Sequence, residues 1–112
     1  MSRNEKLLRI ADLATARSGD KGNHANIGVV AKDAACYEIL RSRLTALRVQ
    51  HYFRRLGLSR VERFELPNVL ALNFLLYDAL GGGASRSLRI DTQGKLLATA
   101  LLDLRLRMEK NG

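Results

Sequence analysis

The sequence is poor in the residues that usually announce a chemistry. Cysteine occurs once, as Cys36, which excludes an internal disulfide and any multi-cysteine zinc or iron–sulfur site. The two histidines, His24 and His51, lie far apart with no i,i+4 partner, so no metal or other cofactor is expected. Proline occurs once, as Pro67, and no low-complexity tract or internal repeat interrupts the chain. Long hydrophobic runs are missing too. The longest uncharged stretch is residues 66–77, 12 in number, against about 20 for a bilayer-spanning helix. The first residues, Met1-Ser2-Arg3-Asn4-Glu5-Lys6, are followed by no apolar stretch, so no secretory signal is expected. The expected compartment is the cytoplasm, which a lone thiol fits.

What remains is an ordinary globular composition. The 112 residues are 46% hydrophobic and 27% charged, which predicts one domain, residues 1–112, with its own core. The net charge is +8 and unevenly placed. Between positions 41 and 63 stand seven arginines (41, 43, 48, 54, 55, 60 and 63) and one acid, Glu62. Such a patch suits nucleic acid, an acidic partner or a phosphorylated ligand, but a solvated helix face explains it as well. Of the aromatics, only Tyr52, Phe53 and Phe64 adjoin it, and all three fit periodic apolar positions, so a base-stacking platform is disfavoured.

Apolar periodicity gives an element order of ββαβαββ. Residues 7–16 alternate as a strand whose phase shifts near Ala11-Asp12, which predicts a bulge. Residues 17–24 form a polar loop, and 26–31 a second strand. Asp33 is a helix N-cap, and Thr45 caps a second helical piece, so 33–56 is either one kinked helix or two. Gly57 suits a left-handed C-cap. A strand at 61–66 stops at Pro67. The apolar run 69–80 predicts a buried helix capped by Asn68, with Asn73 and Asp78 as its polar exceptions. A strand at 87–91, a turn at 92–94 and a long strand at 95–108 complete the reading. The fold class is α+β, a two-layer sandwich of antiparallel-rich sheet with helices on one face.

Two glycine-bearing segments are the candidate sites. The first carries Arg17, Ser18, Asp20 and Lys21 around Gly19 and Gly22, where backbone N–H groups can form an anion nest. The second is residues 81–87, with Gly82, Gly83, Ser85 and Arg86. Neither matches a P-loop or a dinucleotide fingerprint. Both also read as plain connectors. If the two meet, Arg17, Lys21 and Arg86 converge on one anion-binding spot. Asn73 is the fourth element, an amide that must find a partner, a ligand or the surface. His24 beside Asp20 and Lys21 suggests a general acid or base. Cys36, in the first turn of a helix, is a conceivable nucleophile, though a small apolar core residue explains it as well.

The segments ARSGDKGNHANIGVVA and VERFELPNVLALNFLLYDALGGGASRSLRID, in this order and followed by QGK, resemble the AtuA-like ferredoxin-fold domain family. The resemblance spans residues 7–106. It implies a ferredoxin-like α+β sandwich and a place in acyclic terpene utilisation, a breakdown route for branched acyl-CoA compounds. It implies no catalytic residues. In many members this domain follows a large domain. The chain is therefore expected to be a free-standing small subunit acting with a large AtuA-type subunit, with an acyl-CoA as ligand. A stand-alone enzyme using Asp20, Lys21 and His24 on a small anion is the alternative reading, and a nucleic-acid-binding module a third. Exposed strand edges and the apolar run predict a homo-oligomer, most simply a two-fold dimer.

Overall fold

Alternation decides the centre of the molecule. In the computed structural model, which describes residues 5–79 and 91–109, Ala25, Ile27, Val29 and Ala31 point into the core while Asn26, Gly28 and Val30 point away. They belong to β3 (His24–Ala31), which pairs antiparallel with β2 (Ala14–Lys21) and β5 (Ala71–Tyr77). The latter pairs in turn with β4 (Arg60–Leu66). The sheet order is β2-β3-β5-β4, so β3 and β4 run parallel with β5 between them. A second ladder joins β1 (Glu5–Arg9) to β6 (Arg105–Glu109).

The helices cover one face of the four-stranded sheet. Asp33 accepts from the Cys36 N–H at 2.8 Å and starts α2 (Ala34–Arg43). Thr45 accepts from the Arg48 N–H at 3.1 Å and starts α3 (Ala46–Tyr52). Residues 33–56 therefore hold two helices, and a short 3-10 turn follows that ends on Gly57 at φ 72°. Tyr37, Leu40, Leu44, Val49 and Phe53 form one core with Ile27, Val29, Leu72, Phe74 and Leu76 of the sheet. The last helix, α4 (Asp91–Leu102), adds Leu97 and Leu101. Tyr52 locks it to α3 by donating to the Ala100 carbonyl at 2.6 Å. This is the expected two-layer α+β sandwich. Strand β3, the helix pair, β4, β5, α4 and β6 follow the βαββαβ order of a ferredoxin-like fold. Its outer position beside β3 is taken by β2, while β6 pairs with β1.

Four expectations are corrected. The phase shift in 7–16 is a single helical turn, α1 (Ile10–Leu13), separating two strands of different sheets. Residues 17–21 are strand rather than loop, and only Gly22-Asn23 turn. The run 69–80 begins in a 3-10 turn at Pro67–Val69 and continues as β5 rather than a helix. The turn at 92–94 and most of the strand at 95–108 are α4, with β6 after it. The expected strand at 87–91 falls on residues 87–90, outside the described residues, and on Asp91, which opens α4.

Candidate functional site

Strand register places residues distant in sequence side by side on the face of the sheet that the described helices leave uncovered. Arg17 pairs with Gly28, Gly28 with Asn73, and Asn73 with Phe64. The next row is Gly19, Asn26, Leu75 and Glu62. Between these rows lies a cavity of about 330 Å³ lined by Arg17, Ser18, Gly19, Asp20, Asn26, Gly28 and Asn73.

Gly28 makes the floor. Its backbone is ordinary strand, and a Cβ built on it would meet only the Asn73 Oδ1, at 3.7 Å, an ordinary contact. Neither conformation nor crowding inside the protein requires a glycine there. A glycine inside a strand costs stability and commonly marks a close approach by a ligand or another backbone. Three of the polar lining residues are uncommitted. Among the described residues, the side chains of Arg17, Asn26 and Asn73 make no hydrogen bond, and Arg17 has no carboxylate within ion-pair distance. Beside this polar well the same face is apolar: Val30, Phe64 and Leu66 are 45%, 44% and 45% exposed.

Of the sequence-predicted site residues, Arg17, Ser18, Asp20 and Asn73 come together here, on β2 and β5 rather than on a loop and a helix. The expected anion nest does not form at 17–21, because that backbone runs in the ladder with β3. Lys21 closes the hairpin opposite His24. Gly82, Gly83, Ser85 and Arg86, and with them the convergence of Arg86 on Arg17, lie outside the described residues. Asn26 and Gly28 were not legible as site residues. Their signal was the alternation of 25–31, which splits one strand into an apolar face and a polar one.

His24 and Cys36 have structural partners. His24 Nδ1 accepts from the Asp78 N–H at 2.9 Å, and its ring packs on Tyr77 at 5.0 Å. This holds the turn after β5, where Asp78 adopts φ 65°. Tyr77 donates to Glu62 at 2.7 Å, which raises its hydroxyl pKa, and Arg60 stacks 4.1 Å over its ring. The Asp33 carboxylate, accepting from the Cys36 thiol, pushes that thiol up, opposite to the activation a helix N-terminus would give.

The arginine patch is dispersed by the fold. Arg41 pairs with Glu38 at 2.8 Å. Arg63 pairs with Glu65 at 2.8 Å and donates to the carbonyls of Arg41 and Leu44. Arg54 donates to the His51 carbonyl. Three of the seven arginines are thus engaged by neighbouring carboxylates and carbonyls. Among the described residues no helix is long and apolar enough to cross a membrane.

The model of the family described as the AtuA ferredoxin-like domain matches residues 8–107. No curated protein and no solved structure shows significant similarity to the chain. The match covers most of the chain, including every residue lining the cavity, and by it the chain belongs to the AtuA ferredoxin-like domain family.

Proposed function

We propose that the chain is an accessory subunit that acts beside a large AtuA-type subunit on branched or terpenoid acyl-CoA compounds, and that the open face of its sheet holds the ligand. The observation that carries the reading is the cavity over Gly28, where Arg17, Asn26 and Asn73 hold unspent hydrogen-bonding capacity. A guanidinium offers five donors, and each amide offers donors and an acceptor. That set suits the amides and thioester carbonyl of a pantetheine arm. The apolar strip of Val30, Phe64 and Leu66 beside it suits a branched acyl chain or the surface of the large subunit. Family membership supports the AtuA-type partner.

The test is titration of the purified chain with a branched acyl-pantetheine thioester, followed by calorimetry, with and without the purified large subunit. Saturable binding is expected, weakened about tenfold or more by Arg17→Ala, since a hydrogen bond to a charged group contributes about 1.5–3 kcal/mol. Absence of binding in both settings would overturn the reading. The alternative of an enzyme built on Asp20, Lys21 and His24 has less support, because His24 Nδ1 is spent on the Asp78 N–H.

A further inference from the structure

One hydrogen bond at the end of the sheet exists only while a histidine is neutral. His24 opens β3, directly after the Gly22-Asn23 turn, and its ring packs on Tyr77 at the end of β5. The Asp78 N–H donates to His24 Nδ1 at 2.9 Å. A ring nitrogen that accepts an N–H carries no proton, so the imidazole proton sits on Nε2. This bond ties the β2–β3 hairpin to the turn after β5.

The same two residues also hold the parts of a second arrangement. Asp78 Oδ1 lies 3.9 Å from Nδ1, while Oδ2 accepts from the Ser59 hydroxyl at 2.7 Å. Once protonated, Nδ1 becomes a donor. It then opposes the Asp78 N–H, donor against donor, and is drawn to the Asp78 carboxylate instead. Asp78 also adopts φ 65°, a conformation that costs a non-glycine residue free energy and persists only where neighbours hold it. The bond to His24 is one such hold. The Ser59 hydroxyl on Asp78 and the Ser59 N–H on the Tyr77 carbonyl, at 3.0 Å, are two more. Other charged groups stand around the ring. On β2, Lys21 is the register partner of His24 and Asp20 precedes it. From β4, Arg60 stacks over the Tyr77 ring and opposes a second positive charge, while Glu62, on the Tyr77 hydroxyl, favours one.

We infer that His24 and Asp78 form a pH-sensitive switch in the turn after β5. At high pH the neutral ring clamps the turn through the Asp78 N–H. As pH falls and the ring gains its proton, that bond is lost, the carboxylate takes the ring, and the turn loosens from the hairpin. Imidazole is the side chain that ordinarily changes charge between about pH 5 and 8. None of the switch residues lines the cavity over Gly28, and the inference stands apart from the proposed function.

Backbone and imidazole NMR of the full chain, recorded from about pH 8 to about pH 5, tests it. The Asp78 amide signal should move with the same midpoint as the His24 ring. Its exchange with solvent, corrected for the intrinsic pH dependence, should quicken about fivefold, the worth of one lost hydrogen bond. His24→Asn offers an acceptor oxygen in place of Nδ1 at every pH, so its Asp78 signal should stay fixed. Asp78→Asn keeps the N–H and removes the carboxylate, so the transition should need a lower pH. His51→Gln should leave the transition intact. The wild-type titration needs no substitution, so it stays readable if a variant fails to fold. Three results would overturn the inference: an Asp78 amide that ignores the His24 titration, one that moves equally in His24→Asn, or an unchanged midpoint in Asp78→Asn.

Discussion

Asp33 shows how one side chain sets the chemistry of another. Its carboxylate caps α2 by accepting from the Cys36 backbone, and this holds its own pKa below the ordinary carboxylate range. A lowered folded-state pKa means that its stabilisation is present above the ordinary carboxylate value of about 3.9 and is lost as pH falls through the lowered one. Asp33→Asn should therefore flatten the acid limb of a stability-against-pH curve. The same substitution removes the charge that raises the Cys36 thiol, so alkylation of Cys36 at neutral pH should speed up. An unchanged alkylation rate would remove Asp33 as the cause. Tyr37 is a second residue-scale case. Its hydroxyl is buried, and among the described residues it has no hydrogen-bond partner. A buried unpaired hydroxyl costs about 1–3 kcal/mol, so Tyr37→Phe should melt no lower than the wild type, and higher if no void opens. A clear drop in melting temperature would show that the hydroxyl has a bound partner.

At the scale of elements, three caps were legible and the apolar run was not; Asn68, expected to cap a helix, lies inside the 3-10 turn Pro67–Val69. Asp33, Thr45 and Gly57 mark helix ends by chemistry that needs no distant partner, and each stands where it was expected. Thr45→Ala should cost about 1 kcal/mol, a drop of several degrees in melting temperature. The run 69–80 is the opposite case. A run apolar at nearly every position fits a buried helix and a central strand equally. Here β3 and β4 flank it on both sides and decide for strand. Asn73 was the clue that remained. As a helix residue it needed a buried partner, whereas as a strand residue it faces out beside Gly28. Asn73→Leu should therefore shift melting within error while weakening ligand binding. A loss of more than about 1 kcal/mol would place its amide in a structural network. The cavity residues were picked out from the wrong elements: Arg17, Ser18 and Asp20 from a loop, Asn73 from a helix. Their meeting depends on the register of β2, β3 and β5, a long-range pairing that local pattern does not carry. The four-residue turn α1 was lost for a similar reason. It reads as a bulge until β1 is seen to leave for a second sheet with β6.

On the scale of the whole molecule, the described helices commit one face of the sheet to the core and leave the other uncovered. The expected two-fold dimer stands as a proposal. The edges of the described four-stranded sheet are β2 and β4, and β4 carries Arg60, Glu62, Arg63 and Glu65, charges that discourage edge pairing. A dimer would then use β2, and sedimentation at roughly tens of micromolar, well above a micromolar dissociation constant, decides. The central claim is that the open face over Gly28 binds the ligand. It is tested most directly by backbone-amide NMR with a phosphate-free branched acyl-pantetheine. Shifts concentrated at Arg17, Gly19, Asn26, Gly28 and Asn73 are expected, and Gly28→Ala, whose Cβ the fold accepts, should weaken them without lowering the melting temperature. No shifts, or shifts confined to the helical layer, would contradict the claim.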